Sequence, residues 1–235
     1  MVTRAWWVGC AALAAILLGG LPARAGVFSE QAKKLIEERS YVSFYGVSAG
    51  INRSGDFDGW GVVNGTDYTL IPSIKRNVGI GVSTGYRSGE YAAEVSYWHS
   101  QHVAQWTDGV NNFESHATYH AVNIDLKRYL FPRLKAQPFL VAGLAFPWMV
   151  VRDGTSSNPP DPTKVGDSTL SGMGFNAGLG MELYLNQKFS VFLSGVQRWT
   201  SYNHVKGYSH TVEDTAGNLK GDGLNWLAGM AVNFM

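Results

Sequence analysis

The run Asn225-Trp226-Leu227-Ala228-Gly229-Met230-Ala231-Val232-Asn233-Phe234 decides the fold. Trp226, Ala228, Met230, Val232 and Phe234 fall on one file, and Asn225, Leu227, Gly229, Ala231 and Asn233 on the other. Alternation at period 2 describes a strand with two unlike faces, one apolar with aromatics at both ends, the other small or polar. A soluble sheet would turn the apolar face onto a core supplied by other elements, and almost nothing else in the chain could supply one. The apolar file is therefore expected to face lipid. The segment reads as the closing strand of a membrane β-barrel, with Trp226 and Phe234 in the two interfacial aromatic girdles.

Seven further segments alternate in the same way. Segment 42–52 sets Tyr45, Val47, Ala49 and Ile51 against Phe44, Gly46, Ser48, Gly50 and Asn52. Segment 77–87 carries Val78, Ile80, Val82, Thr84 and Tyr86 opposite a file of glycines, Ser83 and Arg87. In 90–100, Tyr91, Ala93, Val95 and Tyr97 point outward, and in 118–130 Val122, Ile124, Leu126 and Leu130 do. Leu140, Ala142, Leu144, Phe146 and Trp148 mark the lipid face of 137–149; Phe175, Ala177, Leu179, Met181 and Leu183 mark that of 172–184. Segment 189–200, with Val191, Leu193 and Trp199 outward, puts Gln197 on the lipid side and Val196 inside, which a bulge would correct.

Short turns (Ser88-Gly89, 131–136 with Pro132, Asn186-Gln187) alternate with long polar connections at 53–67, 101–115, 152–168 and 201–221. A tilted crossing requires about 9–11 residues, and each of the eight segments, of 10 to 13 residues, is long enough for one. Short turns at one end and long loops at the other are the organisation of bacterial outer-membrane barrels. The expected class is all-β, an eight-stranded antiparallel up-and-down transmembrane barrel over 41–235, with both termini periplasmic.

Composition agrees. Of 235 residues, 16% are charged, 13% aromatic and 28 are Gly, and after residue 25 no apolar run is long enough for a membrane helix. Residues 1–25 have the parts of a signal peptide: Arg4, an apolar stretch, and Ala23-Arg24-Ala25 as cleavage site. Without Arg4 and Arg24, the 19 basic and 18 acidic residues become 17 and 18, a balance that argues against nucleic acid as a partner. The one cysteine, Cys10, lies inside the signal, so no disulfide is expected. Residues 28–39, within a segment 26–40, show a helical pattern with Lys33–Glu37 and Lys34–Glu38 pairs, expected as a short periplasmic helix.

On the pair Val78–Arg87 and Glu90–Tyr97, the runs Pro138–Leu144 and Ala177–Leu183, and the closing Trp226–Phe234, the chain resembles the small eight-stranded outer-membrane barrels. That family includes the OmpA transmembrane domain, OmpX and the opacity proteins. The resemblance implies an outer-membrane location, contact with lipid and lipopolysaccharide, and insertion by the barrel-assembly machinery. It also implies a role in envelope integrity, adhesion or surface interaction with a host or other ligand. The family usually ends on Phe; here Met235 follows Phe234.

Gly46-Val47-Ser48-Ala49-Gly50 and Gly81-Val82-Ser83-Thr84-Gly85 match a nucleophile-elbow pattern, but both lie within alternating strands, not at a strand-to-helix turn. They read as small residues lining a narrow lumen. The inward charges are Arg87, Glu90, Glu94, Asp125, Lys127, Glu182 and Arg198, expected to pair as a structural ion network because a lone buried charge is costly. Tyr86, Tyr91, Tyr97, Trp148, Trp199, Trp226 and Phe234 are the interfacial aromatics, and Trp60, Trp106, Phe113, Tyr202 and Tyr208 the candidate loop contacts.

The six histidines, His99, His102, His116, His120, His204 and His210, fall near the long-loop end. They lack short ligand spacing, so surface residence is expected and no metal or cofactor is called for. Two alternatives stand beside the scaffold. A lipid A-modifying barrel enzyme would use His204 with Ser201 or Ser209 and Glu213 or Asp214, although the deacylase spacing of His and Ser two apart is missing. A narrow pore would need an open lumen, and barrels that conduct freely are larger.

Overall fold

The computed structural model describes residues 38–54, 61–63, 67–69, 73–107, 112–152, 167–206 and 219–234. The twelve strands are β1 (Arg39–Ala49), β2 (Asn52–Ser54), β3 (Gly61–Val63), β4 (Asp67–Thr69), β5 (Ser73–Ile74), β6 (Asn77–Ser88), β7 (Tyr91–Thr107), β8 (Asn112–Tyr129), β9 (Ala136–Val151), β10 (Ser168–Tyr184), β11 (Phe189–Lys206) and β12 (Leu219–Phe234). Eight of them, β1 and β6 to β12, pair antiparallel in succession, and β12 returns to pair with β1. The sheet is thus a closed up-and-down barrel, as the alternation implied. The signal segment and nearly all of the expected helix lie outside the described residues. At its C-terminal edge, Arg39 and Ser40 are already strand, pairing with Arg87 and Tyr86.

Turns of two, six and four residues (89–90, 130–135, 185–188) close one end of the barrel, where Arg39 and Phe234 also lie. Gly89, at φ +61°, supplies the left-handed conformation that a two-residue hairpin turn demands. The long connections emerge at the other end.

The strands overrun the bilayer. A tilted strand crosses the hydrocarbon core in about 9–11 residues, whereas β7 to β12 have 16 to 18. This corrects two expected loops. Segment 101–115 is mostly a continuation of the β7–β8 ladder, paired without a break from Tyr91↔Arg128 to Thr107↔Asn112. Segment 201–221 likewise begins and ends as strand. Above the bilayer a strand has no need of an apolar outer file, so its sequence reads as polar loop.

β1 and β6 are continued more loosely. β2 lies on β12 in the register of β1, since Ser48 faces Trp226 and Asn52 faces Asp222. β5 extends β6 along β7. Arg76 bridges the break, donating to the carbonyls of Ser48 (3.3 Å) and Leu224 (2.8 Å).

The apolar file faces outward in β6 to β10 and in β12: Val78 is 71% exposed, Ile80 68%, Leu179 66% and Met230 54%. β1 inverts the rule. Tyr41, Tyr45, Val47 and Ala49 are buried in the lumen, while Phe44 faces out. An eight-stranded barrel must fill its own interior with side chains, so part of that interior is apolar. In β11, Val196 is buried and Gln197 points outward, with no bulge between them. The irregularity comes later, between Ser171 and Gly172, where β11 places Asn203 as the extra residue between the partners His204 and Tyr202.

Glycines in the inward file seat rings from neighbouring strands. A Cβ on Gly81 would collide with the Tyr45 ring, one on Gly85 with Tyr41, and one on Gly180 with Phe139. Both nucleophile-elbow matches are wall, but on opposite faces: Ser83 is buried between two such seats, whereas Gly46 and Ser48 fall on the outward file of β1 and not in the lumen as expected.

Candidate functional site

The lumen is filled in layers. Nearest the short turns, Arg87 donates to Gln137 Oε1 (2.8 Å), the Tyr184 hydroxyl (2.9 Å) and the Gly89 carbonyl (3.0 Å), with its guanidinium 3.7 Å from the Tyr129 ring centre. Arg39 also reaches the Tyr184 hydroxyl, at 3.1 Å. Glu182 accepts from the hydroxyls of Tyr129 (2.6 Å) and Ser190 (2.5 Å). In the next layer Lys127 Nζ lies 2.6 Å from Glu94 Oε2, which also accepts from Tyr41 at 2.9 Å. Above it, Asp125 and Asn123 both accept from Asn176 Nδ2 (3.2 Å). Arg198 donates to Asn176 (2.9 Å), Asn123 (2.5 Å) and Tyr119, and lies 4.2 Å from the Trp98 ring centre.

The inward charges thus meet in an unexpected way. Among the described residues, Lys127–Glu94 is the one direct ion pair in the lumen; Arg87, Asp125, Glu182 and Arg198 are bonded to neutral amides, hydroxyls and phenols. Glu90 belongs elsewhere: it sits in the Gly89-Glu90 turn, half-buried, with its carbonyl accepting from the Tyr129 amide. Burial without a counter-ion is tolerable where polar partners surround the charge; the Nη2 of Arg87, which has no hydrogen-bond partner among the described residues, belongs to a guanidinium that lies over the Tyr129 ring. Asn123, Asn176, Tyr119, Tyr129 and Tyr184 are among those partners, and strand parity alone would have found them, since each lies on an inward file.

Between the layers a cavity of about 20 Å³ remains, lined by Tyr45, Glu94, Trp98, Asp125 and Lys127 among others. That is room for about one water molecule. The carboxylates are held by donors on several strands.

On the outer wall, Tyr86, Tyr91, Tyr97, Trp226 and Phe234 are exposed, and Trp148 and Trp199 half-buried. Phe234 and Tyr86 flank Ser40 near the short turns. Trp60 and Tyr208 lie outside the described residues, as do the Ser209, Glu213 and Asp214 candidates. Trp106 and Phe113 pair across the β7–β8 ladder. Tyr202, expected as a loop contact, is instead 3% exposed and packed inside the barrel, because β11 runs on past the bilayer. His102 is also internal, with Nδ1 2.8 Å from the Lys75 carbonyl and Nε2 2.8 Å from Ser100 Oγ. His99 and His120 are outward and face each other across β7 and β8.

A closed eight-stranded wall with an apolar exterior and a side-chain-filled interior defines a membrane barrel of the outer-membrane type. The fold is similar to that of the outer membrane protein OprG from Pseudomonas aeruginosa, with a TM-score of 0.57 and 13% identity over 83% of this chain and 95% of that one. Neisserial surface protein A (16% identity, 83% of this chain and 97% of that one, TM-score 0.47) and AlkL (12%, 92% and 95%, 0.48) also align. At these identities the likeness shows the fold alone. No family model and no curated protein matches the sequence.

Proposed function

We propose that this chain is an outer-membrane anchor: a plugged barrel that holds its long connections at the cell surface, with the short turns and both termini on the periplasmic side. The observation that carries the reading is the packed lumen, whose central gap is about 20 Å³, inside a wall that is apolar outside. Such a barrel has rigidity to offer and no route for solutes, and binding residues concentrate on loops held by a rigid frame. Trp60, Trp106, Phe113 and Tyr208 are the proposed contact residues; Tyr202 is withdrawn from that set. Lipopolysaccharide is the proposed neighbour on the outer rim, and the barrel-assembly machinery the partner in insertion.

Heat-modifiable migration on a gel, combined with protease digestion of intact cells, tests the reading. Cleavage confined to the long connections, from outside, is the expected result. Single-channel recording in planar bilayers separates it from the narrow pore, since a stable conductance would remove the plug. Release of acyl chains from lipopolysaccharide by the purified wild type would favour the lipid A-modifying enzyme instead.

A further inference from the structure

On the outer wall the ladder of β7 and β8 brings together three donor groups that are far apart in sequence. His99 and His120 are direct register partners, and their Nδ1 atoms stand 3.5 Å apart. The Tyr97 hydroxyl lies 2.7 Å from the same His120 Nδ1. These residues sit at the upper margin of the apolar band: below them run Val95 and Ala93 on β7 and Val122 and Ile124 on β8, above them Gln101 and Thr118.

One hydrogen bond, between Tyr97 and His120, accounts for only part of this arrangement and, among the described residues, leaves the approach of His99 Nδ1 without a partner. His120 Nδ1 carries either one lone pair or one proton, yet two polar atoms converge on it. A metal ion resolves the crowding. Tetrahedral coordination with metal–nitrogen bonds of about 2.0–2.1 Å separates two ligand nitrogens by about 3.3–3.4 Å, close to the spacing the ladder already imposes. The His120 ring is held in place by stacking on Trp148, with centroids 5.0 Å apart and planes 9° from parallel. Directly opposed positions on a closed, fully paired sheet cannot drift apart.

We propose that His99 and His120 form a binding site for a late first-row transition-metal ion, Zn²⁺ or Cu²⁺, with the Tyr97 hydroxyl beside it and the remaining positions open to water. Imidazole nitrogen suits these ions and disfavours Mg²⁺ and Ca²⁺, which take oxygen. Both imidazoles must be neutral to coordinate, so protons compete with the metal and binding weakens in acid.

The test uses the folded full-length mature barrel in non-ionic detergent, stripped with a chelator and titrated calorimetrically with Zn²⁺. Wild type is expected to show one saturable equivalent. His99→Ala and His120→Ala should each weaken it at least tenfold, and Tyr97→Phe less. The double histidine variant reports binding by the other surface histidines, and heat-modifiable migration checks that each variant is folded. A wild-type titration no different from that of the double variant would overturn the site. So would a Cu²⁺ electron paramagnetic resonance spectrum of wild type lacking coupling to two nitrogens, a result that needs no variant.

Discussion

Lys127 reaches Glu94 at 2.6 Å although the two are not register partners: Glu94 faces Asp125, and Lys127 faces Ala92. The ammonium leans along the β7–β8 ladder to its diagonal neighbour, within reach of a long side chain. There it lies 5.3 to 5.7 Å from the ring centres of Phe139, Tyr41 and Phe192. The ion pair is thus embedded in the apolar cluster it divides.

Removing one partner of such a pair leaves the other charged and buried, a loss of about 3–5 kcal/mol in comparable sites. Lys127→Ala should lower the melting temperature more than any single substitution in the long connections. Lys127→Met combined with Glu94→Gln should recover a large part of the loss, because no charge is then stranded. Thermal unfolding in lipid vesicles measures both. A melting temperature for Lys127→Ala equal to that of wild type would remove the pair from the account.

The ring seat at Gly81 gives a second, separable prediction. The three atoms nearest a Cβ placed there all belong to the Tyr45 ring, whereas at Gly85 and Gly180 backbone also intrudes. Gly81→Ala should therefore destabilise by about 1–3 kcal/mol through overpacking. In a Tyr45→Ala background the same substitution should cost much less. A double-mutant cycle reads the coupling, and additive effects would mean that the ring does not hold this glycine small.

His102 lies twelve residues along β7 from its start at Tyr91, beyond the roughly 9–11 that cross a bilayer. Burial pushes its pKa below the usual value, only partly opposed by its bond to the Lys75 carbonyl. A histidine with a depressed folded pKa stays neutral while the unfolded chain takes up a proton. Its contribution is whole above about pH 6.5 and is lost as pH falls toward the folded value. His102→Gln should thus flatten the fall in stability between pH 7 and 5, by at most about 1.4 kcal/mol per pH unit. Parallel pH profiles for wild type and variant would contradict this.

How far the sequence could be read depended on what each residue faced. The wall was legible where lipid lies on one side and small or polar groups on the other. In β12 and β6 the two files differ so sharply that period 2 alone orients them, and Gly89 marks its own turn. β1 defeats the rule because both of its surroundings are apolar: Phe44 meets lipid, while Tyr41, Tyr45 and Val47 meet the lumen cluster. The outer ends of β7, β8 and β11 carry a loop-like sequence because water, not hydrocarbon, borders them, and Tyr202 lies in one of them. Register across strands was beyond a linear reading. Nothing in a spacing of 21 residues announces that His99 and His120 meet, and charge counting alone does not find Asn123 and Asn176 around Arg198.

The measurement that bears most directly on the central claim is fluorescence quenching of single tryptophans by bromine-labelled lipid chains. Trp226 is 49% exposed on the wall and Trp98 2% exposed in the lumen, so the two sample opposite sides of one sheet. With all other tryptophans replaced by Phe and the protein reconstituted in brominated vesicles, Trp226 should be strongly quenched and Trp98 left bright. Quenching of Trp98 with Trp226 untouched, or a polypeptide that stays monomeric in water without detergent, would contradict the barrel's orientation toward lipid.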